Sequence, residues 1–94
     1  MKYSDETVIR RAPTALSRAF DHEVAVILPT ASAVRVLNEL GARIWALADG
    51  RTVAEILDVL VNEYDVERTQ LRVDAEGFLA ELQGRGLLEA PPRP

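Results

Sequence analysis

His22 is the one histidine of the sequence, and no other side chain has an ordinary pKa so close to neutrality. The chain has no cysteine, which excludes thiolate nucleophiles, disulfides and cysteine-ligated zinc. His22 follows Asp21 in a predicted tight turn, where no partner for acid–base chemistry can be placed. We therefore predict a solvated turn residue, and a protein with no catalytic residue, no metal site and no cofactor.

The other side chains that could take part in catalysis are carboxylates. They fall mainly on the polar faces of the predicted helices, at Asp58, Glu63, Asp74, Glu76 and Glu81. Such a pattern is typical of a solvated surface. The only lysine, Lys2, follows no glycine-rich loop, so a nucleotide phosphate site is not indicated.

Length and charge narrow the functional classes further. The 94 residues, 48% apolar and 28% charged, are typical of one globular domain. The net charge is −4, and residues 49–94 hold 10 acidic but only 5 basic side chains. This helical half is poorly suited to nucleic acid. No apolar run is long enough to cross a membrane and the first residues do not form a signal peptide, so we expect a cytoplasmic protein.

Three segments have the composition of β-strands. They are Leu16–Phe20, Glu23–Leu28 and Ala33–Leu37, separated by Asp21-His22 and by residues 29–32. An antiparallel meander is predicted. The middle strand is apolar on both faces, so one face remains uncovered if the helices pack on the other; the N-terminal segment, a second copy or a partner protein would then cover it.

After residue 37 the apolar period changes from two to 3.6, which predicts three helices. Asn38 is expected to cap the first, and Asp49-Gly50 to end it. Thr52 and Glu55 are expected to form a capping box on the second helix, and Gly86 to end the third. Trp45, beside the apolar stripe of the first helix, is interpreted as a packing residue rather than a ligand-stacking one.

The predicted fold class is α+β, a three-stranded antiparallel sheet followed by three helices, similar in order to a winged helix-turn-helix. We expect residues 1–14 to be an N-terminal arm with at most a short strand at Thr7–Arg10. Residues 15–89 form the domain, and 90–94 a flexible tail. The alternative function is a winged-helix transcriptional or structural interaction module. A DNA reader would show a basic third helix, but this one mixes both charges and is net acidic.

The order of several short motifs resembles the pyrroloquinoline-quinone biosynthesis D (PqqD) family. They are Leu-Asn-x-x-Gly-Ala-x-Ile-Trp at 37–45, Asp-Gly-Arg-Thr at 49–52, Glu-Tyr-Asp-Val at 63–66, Phe78-Leu79 and Arg85-Gly86-Leu87-Leu88. The resemblance extends from about Leu16 to Leu88. That family belongs to the recognition-element domains that hold the leader segments of ribosomally made precursor peptides.

The resemblance implies an adaptor whose partners are a leader peptide and a modifying enzyme, such as a radical SAM enzyme, within or outside the quinone pathway; a homodimer is a further possibility. The peptide would add as a strand beside Ala33–Leu37, over the third helix. The strand residues implied are Ala33, Val34, Arg35, Val36 and Leu37. Two flanks of the third helix are candidate walls of the groove. We prefer the one that carries Arg72, Glu76, Leu79 and Gln83 over the one that carries Glu67, Asp74, Glu81 and Arg85.

Overall fold

The computed structural model describes residues 3–29 and 33–90 of the chain. Its elements are β1 (Val8–Arg11), β2 (Leu16–Phe20), β3 (Glu23–Leu28), β4 (Ala33–Leu37), α1 (Glu39–Leu47), β5 (Asp49–Thr52), α2 (Val53–Glu63), α3 (Arg68–Gly84) and β6 (Leu88–Glu89). The predicted α+β class, with a three-stranded antiparallel sheet and three helices, is confirmed. Most of the predicted tail, residues 91–94, lies outside the described residues.

The predicted meander is the sheet β2-β3-β4, with both pairs antiparallel. Phe20 pairs with Glu23 across a two-residue turn, in which Asp21 has a φ of 53°. Asp adopts this left-handed conformation more readily than most residues, since its short side chain can bond to nearby backbone. The strand bounds are those predicted from the composition of the three segments.

A second sheet, β5-β1-β6, was not predicted. Its central strand β1 lies within the expected N-terminal arm and pairs antiparallel with both neighbours. The segment packs more closely than an arm would, since Tyr3 and Ile9 are 4% and 1% exposed. The strands have two to four residues, too few for an alternation of apolar and polar residues to identify them.

The predicted caps of the first two helices are present. The Asn38 side chain accepts a hydrogen bond from the Gly41 N–H at 2.9 Å, and Thr52 and Glu55 form the reciprocal capping box. The end of α1 differs from the prediction. The helix ends at Leu47 with Ala48 as its cap, and Gly50, with a φ of 107°, lies inside β5 instead.

One apolar core lies between the two sheets and the helices. Its fully buried side chains come from all three helices and from β1, β3 and β4; among the largest are Ile9, Leu37, Ile44, Leu57, Leu60, Leu79 and Leu82. Trp45 is 4% exposed, in agreement with its interpretation as a packing residue. None of the helices in the described part of the chain is long and apolar enough to span a membrane.

Candidate functional site

The free edge of β4 is the feature of the fold best suited to binding another chain. Among the described residues β4 pairs only with β3, so its other side has no partner strand. Phe20 and Glu23 close a two-residue hairpin and are therefore a hydrogen-bonded pair. Hydrogen-bonded and non-hydrogen-bonded pairs alternate along both pairs of strands. The N–H and C=O groups of Arg35 therefore point toward β3, and those of Val34 and Val36 point toward the free edge.

Helix α3 faces this edge through an ion pair. The Nε and Nη2 atoms of Arg35 donate to the Glu81 carboxylate at 2.7 and 3.3 Å. The Nη1 atom of Arg35 donates to the carbonyl oxygen of Val36 at 2.7 Å. Arg85 contacts the same carboxylate, with its Nε 3.3 Å from Glu81 Oε2. We refer to the strip between the free edge of β4 and this charged side of α3 as the groove.

The charges of this pair affect each other's ionisation. The pKa of Glu81 lies below its ordinary value of 4.5, first because Arg35 donates a hydrogen bond to it, with the positive charges of Arg35 and Arg85 adding to the effect. The pKa of Arg35 is raised for the same reason. Both groups are therefore charged at neutral pH, and the groove wall holds two guanidinium groups for one carboxylate.

The structure places the preferred flank of α3 elsewhere. Arg72 pairs with Asp5 and with Glu76, and its Nη2 donates to the Tyr3 carbonyl at 3.3 Å. Gln83 accepts a hydrogen bond from the Tyr3 hydroxyl, and Leu79 is buried at 1% exposure. Arg72, Glu76 and Gln83 thus face the N-terminal segment, whose packing on α3 was not predicted. The other flank, with Glu81 and Arg85, faces β4.

The line of the edge continues past Leu37 toward the start of α1. Phe78, one turn from Glu81 on α3, lies against this helix start: a Cβ atom on Gly41 would come within 2.7 Å of its ring. One turn further along α3, a cleft of about 90 Å³ opens between α1, α3 and the loop between α2 and α3. Its lining is largely apolar and comprises Leu40, Tyr64, Val66, Gln70, Leu71 and Asp74. Neither the position of Phe78 at the start of α1 nor this cleft was predicted from the sequence, because both depend on how α3 crosses α1.

The outer face of the sheet β2-β3-β4 is apolar and exposed, as the composition of the middle strand predicted. Pairing aligns Leu16, Ile27 and Val34 in one row, and Leu16 and Val34 are 59% and 63% exposed. Val36 and Phe20, on the same face, are 45% and 44% exposed. The N-terminal segment packs against α3 instead, which leaves a second copy or a partner protein among the expected occupants.

The remaining candidates for chemistry lie apart from the groove. His22 is exposed in its turn, and within residues 3–29 and 33–90 no three metal-ligating side chains converge. The arginines of α3 are engaged with carboxylates: Arg68 with Asp58, and Arg72 with Asp5 and Glu76. Their charges are therefore largely neutralised, which weakens the winged-helix DNA-binding alternative.

The fold and the groove define a small α+β domain of the type that can accept an added strand. The model of the family described as "Coenzyme PQQ synthesis protein D (PqqD)" matches residues 14–88. The chain belongs to this family, and the resemblance noted in the sequence is confirmed.

Comparison with solved structures gives a second match. A structure described as "TbiB1 in Complex with the TbiA(beta) Leader Peptide" is 29% identical to this chain, with a TM-score of 0.82. The alignment covers 89% of this chain and 99% of that one. No curated protein matches the chain.

Proposed function

We propose that this protein is a non-catalytic cytoplasmic adaptor that binds the leader segment of a ribosomally synthesised precursor peptide and presents it to a separate modifying enzyme. The observation that carries the proposal is the free edge of β4, where Val34 and Val36 offer backbone groups beside a wall formed by α3. Membership of the PqqD family and the similarity to a leader-peptide complex support it.

The leader would extend the sheet as a fourth strand. Its backbone would bond to Val34 and Val36, which supplies affinity with little dependence on sequence. Selectivity would come from the side chains that point into the groove, toward Arg35, Phe78 and Glu81. Where the edge ends, the cleft beside Leu40 is large enough for part of an apolar side chain.

The edge of β2 is the control site for this proposal. It is also unpaired among the described residues, and the same alternation turns the backbone groups of Ser17 and Ala19 outward. However, all five residues of β2 are exposed, and the space between Ala19 and α1 is a wide, open cleft. Within the described residues no ion pair joins β2 to a helix, whereas Arg35 joins β4 to α3. A peptide that depends on side-chain pockets as well as backbone bonds should therefore prefer β4.

The test begins with peptides selected on the purified protein from a display library of short random sequences. Calorimetry then measures the affinity of the best peptide for the wild type, Val36→Pro and Ala19→Pro. Each substitution removes one outward N–H from one strand edge. We expect Val36→Pro to weaken binding by about tenfold or more, as the loss of one or two hydrogen bonds worth about 1 kcal/mol each would do. Ala19→Pro should bind normally. Weaker binding by Ala19→Pro than by Val36→Pro would mean that the peptide binds at β2. Equal affinity of both folded variants would contradict strand addition.

The identity of the partner enzyme rests on the family resemblance. We propose a radical SAM enzyme of a peptide-modification pathway, with pyrroloquinoline quinone as the first pathway to test. The experiment searches the genes beside this one for such an enzyme and a short precursor, combines their products with and without this protein, and follows the precursor mass. Efficient modification only when this protein is present is the expected result. Equal modification without it would contradict the adaptor role.

A further inference from the structure

The Arg35 side chain bonds to a backbone carbonyl that an added strand would use. Its Nη1 donates to the Val36 carbonyl at 2.7 Å, and that carbonyl is one of the groups that β4 turns to the free edge. In the proposed function, the peptide N–H must bond to this oxygen. A carbonyl oxygen can accept two hydrogen bonds, but a peptide N–H that approaches along the strand edge competes with Nη1 for this one. A displaced Nη1 can then donate to a group of the peptide.

Apart from water, the carboxylate that Arg35 contacts is already shared with another donor. The Nε and Nη2 of Arg35 already bond to Glu81, and Glu81 is shared with Arg85. Two guanidinium groups around one carboxylate leave an excess of positive charge at this point of a chain whose net charge is −4. The side chains of Arg35, Glu81 and Arg85 are 36%, 35% and 52% exposed, so an incoming group can reach them.

The geometry of a sheet fixes where a new acceptor would come from. The residue of the added strand nearest Arg35 lies on the same face of the sheet, beside the guanidinium and toward α3. A carboxylate at that position would take the released Nη1 donor and balance the second guanidinium group. Charge-assisted bonds of this kind are about twice as strong as neutral ones.

We propose that Arg35 is a specificity-determining residue of the peptide site, and that it selects a peptide with aspartate or glutamate at the position facing it across the β4 edge. The inference rests on the proposed function and adds to it the chemical class of the peptide. It also assigns a second role to the Arg35–Val36 contact, which covers a free strand edge until a peptide arrives.

The experiment uses random-peptide selection on the wild type, on Arg35→Gln and on Arg18→Gln. Arg18 is the matched control because it is exposed and lies on the outer face of the same sheet. We expect the wild type and Arg18→Gln to enrich peptides with an acidic residue at one fixed position, and Arg35→Gln to enrich peptides without that preference. Circular dichroism establishes that each variant is folded.

Calorimetry then measures the selected peptide and its amide counterpart, with Asp→Asn or Glu→Gln at the fixed position. Loss of the peptide carboxylate should lower the affinity for the wild type and for Arg18→Gln about tenfold. It should change the affinity for Arg35→Gln little. Glu81→Gln, which frees Arg35 without removing it, should bind the acidic peptide at least as tightly as the wild type. Equal discrimination in Arg35→Gln, or selected peptides without a fixed acidic position, would overturn this inference and leave the proposed function intact. Failure to select any peptide would contradict both.

Discussion

The hydroxyl of Tyr3 donates a hydrogen bond to the Gln83 side chain, joining the start of the chain to the last turn of α3, 80 residues away. Five residues beyond Tyr3, β1 begins and holds the second sheet together. Residues 3–13, which the family model does not cover, thus contribute Tyr3 and Ile9 to the core.

Ile9→Ala tests whether this segment stabilises the domain. Ile9 is 1% exposed in the core, so truncation should lower the free energy of unfolding by about 2–4 kcal/mol. Arg10→Ala, on the exposed side of the same strand, should change it by less than about 0.5 kcal/mol. Urea unfolding measures both. A change in Ile9→Ala as small as that in Arg10→Ala would mean that residues 3–14 are a dispensable arm.

Substitution by alanine should change the stability of the protein in opposite directions at two helical glycines. A Cβ on Gly41 would lie 2.7 Å from the Phe78 ring and 3.3 Å from the Asn38 oxygen that caps α1. Gly41→Ala should therefore destabilise the protein by about 1–2 kcal/mol through overpacking. Gly77, in the middle of α3, has no atom within 4 Å of its Cβ position, and Gly77→Ala should stabilise the helix by about 1 kcal/mol.

Thermal and urea unfolding of both variants provide the measurement. Stabilisation by Gly41→Ala would show that the start of α1 is not packed against Phe78. A destabilised Gly77→Ala would show that the exposed back of α3 meets something in solution, such as a second copy of the chain.

The carboxylate of Glu81 should titrate below the ordinary value of 4.5, because Arg35 bonds to its charged form. Since the folded-state pKa is depressed, the pair stabilises the folded state fully above the unfolded pKa and loses this contribution as pH falls through the folded pKa. Arg35→Gln should raise the pKa of Glu81 and reduce the acid sensitivity of folding. Glu63, whose pKa is lowered by Arg43, is the internal control and should not move.

Carbon-detected NMR of the side-chain carboxyls follows both residues in one titration. An unchanged Glu81 midpoint in Arg35→Gln would show that the two groups are not paired in solution. The Arg35 guanidinium would then not be held between β4 and α3 in the free protein.

The sequence predicts the parts of this fold that repeat a pattern. Runs of β-favouring residues identify β2, β3 and β4 with their observed bounds, and the caps at Asn38 and Thr52 mark the starts of two helices. The second sheet follows no such pattern. Its strands are held by backbone bonds between segments far apart in the sequence, which only the assembled fold brings together.

The residues that surround the groove also depend on contacts between distant segments. The strand follows from composition, but the wall depends on the rotation of α3 about its axis. The apolar stripe of α3 is compatible with either flank facing β4; in the structure Gln83 accepts from Tyr3, whereas Glu81 accepts from Arg35. The two-residue turn determines which residues of β4 present free backbone groups, because hydrogen-bonded and non-hydrogen-bonded pairs alternate from the turn onward.

Backbone amide hydrogen exchange, followed by NMR with and without the selected peptide, tests the central claim most directly. In the free protein the N–H groups of Val34 and Val36 face outward and should exchange rapidly. A peptide that adds to β4 must accept from them, so both should become protected while Ser17 and Ala19 continue to exchange. Protection of Ser17 and Ala19 instead, or tight binding with no new protection at Val34 and Val36, would contradict strand addition at β4.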